Sequence, residues 1–258
     1  MKKPGFILIV LLTFPALAGA RINFIEQWKP GIESNILDKD SYDISLNMTA
    51  SSDNKFSDLF SLPATFTYSP FEKAEFGISL GIASQGSETG VSDLNTGLKY
   101  SFMKEDASQK PSICGEFGFS FPTADYRKNL GFGGVGINLD WIIQKTIKDI
   151  KGHLVIGYLI HTDNPDNARP GNEFQWNLGG EYLLSKTMTA YGALKGINHA
   201  PSRLNGQSVA NTSLHELYLT PGIKYRNSTL FNLYFSPFFG LTDDSYNLIF
   251  FAGMEMKI

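Results

Sequence analysis

The chain has 258 residues, 22 basic and 25 acidic side chains, and a formal net charge of −3 at pH 7. With that balance and no basic stripe, nucleic acid is excluded as a partner, and a single cysteine, Cys114, excludes an internal disulfide. The length suffices for one large all-β unit without such staples, and 25 Gly, 20 Phe and 11 Tyr suit that class.

At the N-terminus, Lys2 and Lys3 precede an apolar run, Phe6 to Ala18, interrupted by Thr13 and Pro15. Ala16-Leu17-Ala18 and Ala18-Gly19-Ala20 both fit the small-x-small cleavage rule. The run is about a dozen residues, short of the roughly 20 that a spanning helix needs. Residues 1–20 therefore read as an export signal, with no cysteine at the cleavage point to carry a lipid. No later stretch is apolar enough for a transmembrane helix. Residues 21–41 form a periplasmic or lumen-tucked segment. Phe24, Ile25 and Trp28 precede Pro30-Gly31 there, and Trp28 is the candidate plug, since an indole left alone in water gains nothing from its area.

From residue 42 onward, apolar and polar residues alternate with period two, the pattern of a half-buried strand. Tyr42, Ile44, Leu46 and Met48 alternate with Asp43, Ser45, Asn47 and Thr49. The same reading gives strands around Leu62–Tyr68, Phe76–Ile82, Leu94–Phe102, Ile113–Phe121, Val135–Trp141 and Leu154–Ile160. It continues through Phe174–Tyr182, a weaker Met188–Lys195 whose faces do not separate, Leu217–Tyr225, Phe231–Phe235 and Tyr246–Ile258. That makes about twelve strands of roughly 8–12 residues, enough to cross the apolar layer when tilted.

The links support an up-and-down order with both termini in the periplasm. Ala50–Leu59, Ser84–Asp93, Pro122–Phe132, His161–Glu173, Gly196–Ser213 and Gly240–Ser245 read as outer loops. Ser69–Lys73, Ser185–Thr187 and Arg226–Thr229 read as short periplasmic turns. Met103–Ser112 and Ile142–Gly152 are longer, and Ile142–Ile150 has room for a helical turn.

A soluble sandwich also alternates. Aromatics at the strand ends favour a membrane barrel: Tyr42, Tyr68, Phe102, Phe121, Trp141, Trp176, Tyr182, Tyr225 and Tyr246 fit interfacial girdles. Unpaired backbone is not tolerated in lipid, so the strands must close into a ring and turn their polar face inward. The expected lumen or transport residues are Asp43, Glu75, Lys99, Glu116, Asp140, Glu181, Glu216, Lys224, Glu255 and Lys257, with Lys99 placed to pair across strands with Glu75 and Glu116. Such charges form either a selectivity ring or the balanced filling of a narrow barrel. Their acidic excess predicts a mild preference for cations.

Ser61-Leu62-Pro63-Ala64-Thr65-Phe66-Thr67-Tyr68, Glu75-Phe76-Gly77-Ile78, Ser92-Asp93-Leu94-Asn95-Thr96-Gly97-Leu98-Lys99-Tyr100 and Phe117-Gly118-Phe119-Ser120-Phe121-Pro122-Thr123-Ala124-Asp125 carry a resemblance. Together they resemble the outer-membrane transporter family named for the meta-pathway of phenol degradation. Ser92 stands where that family often has Gly, and Ala124 replaces the Gly of Pro-Thr-Gly-Asp. The resemblance spans about Ser61 to Asp163 and implies an outer-membrane barrel that moves hydrophobic or aromatic compounds. Many barrels end in Phe or Trp; this chain ends in Met256-Lys257-Ile258.

Motifs for other chemistry are weak. His161-Thr162-Asp163 near Asp166 imitates an Asp/His pair of a barrel protease, without a serine signature. His153, His199 and His215 are scattered, and His215-Glu216 lacks the second histidine of a zinc site. Gly131-Phe132-Gly133-Gly134-Val135-Gly136 leads into a strand without a following helix, so it reads as a bulge or close backbone packing in the wall and not a nucleotide loop. No enzyme, cofactor or metal is expected. The expected partners are outer-membrane lipid, the barrel assembly machinery and a small-molecule solute. The expectation is an all-β, single antiparallel transmembrane barrel acting as a passive channel or facilitator for small solutes, hydrophobic or aromatic ones included. A non-conducting structural or surface-recognition barrel is the alternative, and a barrel enzyme the remoter one.

Overall fold

The computed structural model describes Ser34 and residues 36–51, 58–106, 110–227 and 231–257. The expected signal segment, Trp28 and Ile258 lie outside the described residues. Twelve strands build the wall. They are β1 Ser41–Ser51, β2 Leu59–Phe71, β3 Ala74–Gln85, β4 Leu94–Met103, β5 Ser112–Phe121 and β6 Gly136–Ile147. β7 Ile150–His161, β8 Glu173–Leu183, β9 Met188–His199, β10 Leu214–Asn227, β11 Phe231–Gly240 and β12 Leu248–Lys257 complete them. Each pairs antiparallel with its sequence neighbours, and β1 pairs with β12 from Asp43↔Lys257 to Ser51↔Ile249. The ring is closed, so no row of N–H and C=O groups is left facing lipid.

Polarity is inverted relative to a soluble protein. Lipid-side positions are apolar, and one row of them, Ile143, Leu154, Leu178, Leu194 and Leu219, runs in register across β6 to β10. At one end Tyr42 stacks on Tyr68 at 4.8 Å, and Tyr100, Phe102 and Trp141 follow at 5.0 and 5.3 Å. These amphipathic rings suit the headgroup level. The links at this end include the two-residue turns Glu72-Lys73 and Lys148-Asp149, which marks it as periplasmic. Ser34 and Leu37 lie inside that end. The Ser34 N–H donates to Gln144 Oε1 at 3.0 Å, and the Leu37 N–H to Glu75 Oε2 at 2.9 Å.

Four expectations are corrected. Ile142–Gly152 holds no helical turn: β6 and β7 continue to Ile147 and Ile150 and meet at the tight turn, with Lys148 at φ 57°. The weak strand is a full twelve residues, Met188–His199. Tyr246 is no girdle residue, because it turns inward and is 3% exposed. The glycines from Gly131 to Gly134 belong to an outer loop and not to the wall.

The outer loops are structured. A small sheet joins Ala168–Arg169, Arg203–Leu204 and Gln207–Ser208, turning at Asn205-Gly206 with φ 52° and 77°, the signs of a type I′ hairpin. Glu88–Val91 folds back on the outer half of β3. Leu130, from the loop after β5, packs with Ala83 and Ala124.

Asp93 fastens that loop from just outside the start of β4. It is fully buried, and its Oδ1 accepts the Ala124 N–H at 2.9 Å. A Cβ at Gly131 would sit 2.7 Å from Oδ2, so only glycine allows this approach. Burial pushes the Asp93 carboxyl up to about 6, against the pull of the Ala124 and Thr123 amides. The ionised form is therefore the strained one. The stability it contributes is complete below about pH 4 and is lost as pH rises through 6. Asp93→Asn should stabilise the folded barrel at pH 8 by at most about 3 kcal/mol, read as a higher midpoint of heat-induced unfolding, and leave the midpoint unchanged at pH 4. A lower midpoint at pH 8 would contradict this account of Asp93.

Candidate functional site

Strand tilt turns one hydrogen-bonding line into a staircase. Glu75 near the periplasmic end of β3 is opposite Lys99, which is opposite Glu116, which is opposite Asp140. The line continues through Gly157, Gln175 and Ile197 to Glu216 near the outer end of β10. All these charged side chains point into the lumen and are buried. Lys99 Nζ lies 3.5 Å from Glu75 Oε1. Asp140 accepts from Asn138 Nδ2 and projects over Gly157, where a Cβ would lie 1.9 Å from its Oδ1. Glycine there makes room for the carboxylate.

Asp43, Glu181, Lys224 and Glu255 also face inward. Glu181 pairs with Lys151 at 3.7 Å. Lys224 sits 5.0 Å from the Tyr234 ring centre, and the Tyr234 hydroxyl donates to Glu255. Asp43 is buried as well. Lys257 is opposite it in the ladder. The residues that sequence reasoning missed are Lys195, which neighbours Asp140 electrostatically, and the outer-end group His161, Glu173 and His199. Alternation counted back from Tyr182 and Glu181 marks Glu173 as inward-facing. The weak apolar face of β9 hid Lys195 and His199.

The lumen has a second wall. Leu59, Ile197, Tyr218, Tyr234, Phe238, Tyr246, Ile249 and Phe251 form one buried apolar cluster, drawn mostly from β9 to β12. Tyr218 and Phe238 meet edge to face at 6.4 Å. A charged staircase on β3 to β6 thus shares the lumen with an aromatic wall on β10 to β12.

The protease-like arrangement does not form. His161 Nε2 lies 3.1 Å from Glu173 Oε1 inside the barrel, whereas Asp163 meets Arg169 at 3.7 Å on the rim. His215 is exposed and bonds Asn198. Among the described residues, no three His, Cys, Asp or Glu are placed to hold a metal ion.

A family model described as "Putative MetA-pathway of phenol degradation" matches residues 38–258. The chain belongs to that family. It is a bacterial outer-membrane β-barrel. Its fold is similar to the crystal structure of the COG4313 outer membrane channel from Pseudomonas putida F1, with a TM-score of 0.76 at 13% identity over 90% of this chain and 100% of that one. The NanC porin gives a TM-score of 0.58 at 11% identity over 84% of this chain and 100% of the porin. At such identities the likeness is one of fold. No curated protein matches the chain.

Lys99 is the cation between Glu75 and Glu116 on the staircase. Lys99→Met leaves two buried carboxylates facing each other and should cost about 3–5 kcal/mol, read as a lower denaturant midpoint of the folded band on electrophoresis. Lys99→Arg should recover most of that loss. An unchanged midpoint in Lys99→Met would mean that the staircase is solvated and not an ion-pair network.

Proposed function

We propose that this barrel is a passive route for small solutes through its own lumen, with cations favoured among ions and aromatic or other apolar solutes among organic ones. The observation that carries the reading is the two-walled lumen. Asp43, Glu75, Glu116, Asp140, Glu173, Glu181, Glu216 and Glu255 are buried carboxylates, against buried Lys99, Lys195 and Lys224 among the described residues. A lumen with that excess attracts cations. The aromatic wall offers apolar surface to a ring, and the family description fits such solutes.

The lumen side chains are buried, so the route is narrow. Ser34 and Leu37 bring the segment before β1 into the periplasmic opening, where it acts as a removable stopper. Trp28 would extend the stopper upstream. Surrounding lipid holds the aromatic girdle, and the barrel assembly machinery inserts the chain. The filled interior also supports a second reading, a non-conducting barrel whose ordered outer loops engage a partner.

Refolded mature protein in a planar bilayer should give small discrete current steps with a cation-selective reversal potential in a salt gradient. Glu116→Gln should weaken the selectivity, and removal of residues 21–35 should enlarge the steps. Anion selectivity would refute the staircase as the selecting element. Silence from folded protein, with or without residues 21–35, would favour the second reading.

A further inference from the structure

Four adjacent strands bring alternating acids and imidazoles together at the outer end of the lumen. His161 ends β7, Glu173 opens β8, His199 ends β9, and Glu216 lies near the start of β10. His161 Nε2 is 3.1 Å from Glu173 Oε1, His199 Nδ1 is 3.7 Å from the same oxygen, and His199 Nε2 is 3.0 Å from Glu216 Oε1. The remaining carboxylate oxygens are also bonded. Glu173 Oε2 accepts from Gln175 at 3.1 Å, and Glu216 Oε2 accepts the Tyr218 hydroxyl at 2.7 Å.

This chain is tied to the parts that fill the outer end. The Tyr218 oxygen accepts the Tyr246 N–H at 3.2 Å, and both tyrosines belong to the apolar cluster. At the other end Phe132, from the loop after β5, packs edge-on to His161 at 4.7 Å. Every member from His161 to Tyr218 is buried. The chain thus joins a loop, four strands and the aromatic wall in one connected network.

The imidazoles hold this network differently when neutral and when protonated. A neutral imidazole has one N–H, and neutral His199 can place it on Glu216 at 3.0 Å, while Glu173 at 3.7 Å is beyond hydrogen-bond reach. Protonation makes His199 an imidazolium that attracts both carboxylates, and two imidazolium ions then face two carboxylates. Charge-assisted bonds are shorter and stronger than neutral ones. The other charged or titratable groups on the packed elements are Lys195 and Asp140 deeper in the lumen. At the rim they are Asp163 with Arg169, Arg203, and His215 with Asp244.

We propose that His161, Glu173, His199, Glu216 and Tyr218 form a proton-operated latch that holds the outer end of the lumen shut in acid and loosens it above neutral pH. Histidine changes charge between about pH 5 and 8, which matches the range of an external medium. The latch rests on the passive-route reading for its biological use but not for its detection.

The test is outside access to a cysteine placed below the latch. Thr220→Cys, in a Cys114→Ser background, puts a thiol on the lumen face of β10, two residues beyond Tyr218. A small trimethylammonium thiosulfonate is added outside proteoliposomes, and its rate is normalised to free cysteine at the same pH. Labelling should be about tenfold faster at pH 8 than at pH 5.5, as expected for a charge-assisted bond gained in acid. His199→Gln should remove the difference, and His161→Gln should reduce it. Equal rates at both pH values, no labelling at either, or a pH response that survives both substitutions would overturn the latch. A pH-dependent rate in a barrel that carries no current would sink the passive-route reading and leave the latch standing.

Discussion

Hydrocarbon offers no partner for a backbone N–H or C=O, and that constraint organises this molecule. A strand can cross lipid only if both its edges are paired, so twelve strands must meet end to end and β1 must find β12. Once the ring closes, the period-two side-chain alternation has one consistent solution. The apolar set faces lipid and the polar set faces the lumen. Shifting one strand by a single residue would put charges such as Glu116 or Asp140 into lipid, so the register is strongly specified.

The lumen inherits its chemistry from that geometry. Because the strands tilt, residues opposite one another around the ring also climb along it. Glu75, Lys99, Glu116 and Asp140 therefore form a rising series and not a flat ring. Charges buried in this way must be paired, and Lys99 with Glu75 and Lys151 with Glu181 show the pairing. The apolar cluster on β10 to β12 lines the other side, where Tyr218 and Tyr234 meet Glu216, Lys224 and Glu255.

Much of this was legible from alternation alone. The strand order, the inward placement of Glu75, Lys99, Glu116, Asp140, Glu181, Glu216, Lys224 and Glu255, and the lipid face all follow from period two. Failures came where lumen positions are themselves apolar. Ile142 points inward against Cys114 and Val155, so Ile142-Ile143 broke the alternation and invited a helical turn that is absent. In β9, small residues on the outer face, Ala190, Gly192 and Gly196, gave no apolar stripe, and Lys195 and His199 went unplaced. The Asn205-Gly206 turn was a local sign of the outer hairpin that the strand pattern did not use. Contacts among His161, Glu173, His199 and Glu216 depend on four strand ends converging, which no single segment encodes.

The central claim is that solutes cross through the ring and not along its outside. Ser79 and Ile78 are adjacent on β3, with Ser79 buried in the lumen and Ile78 on the lipid face. In a Cys114→Ser background, a bulky thiol reagent on Ser79→Cys should lower the current through single barrels stepwise. The same reagent on Ile78→Cys should leave it unchanged. Block from the Ile78 position, or no block from Ser79 after complete modification, would contradict a route through the lumen.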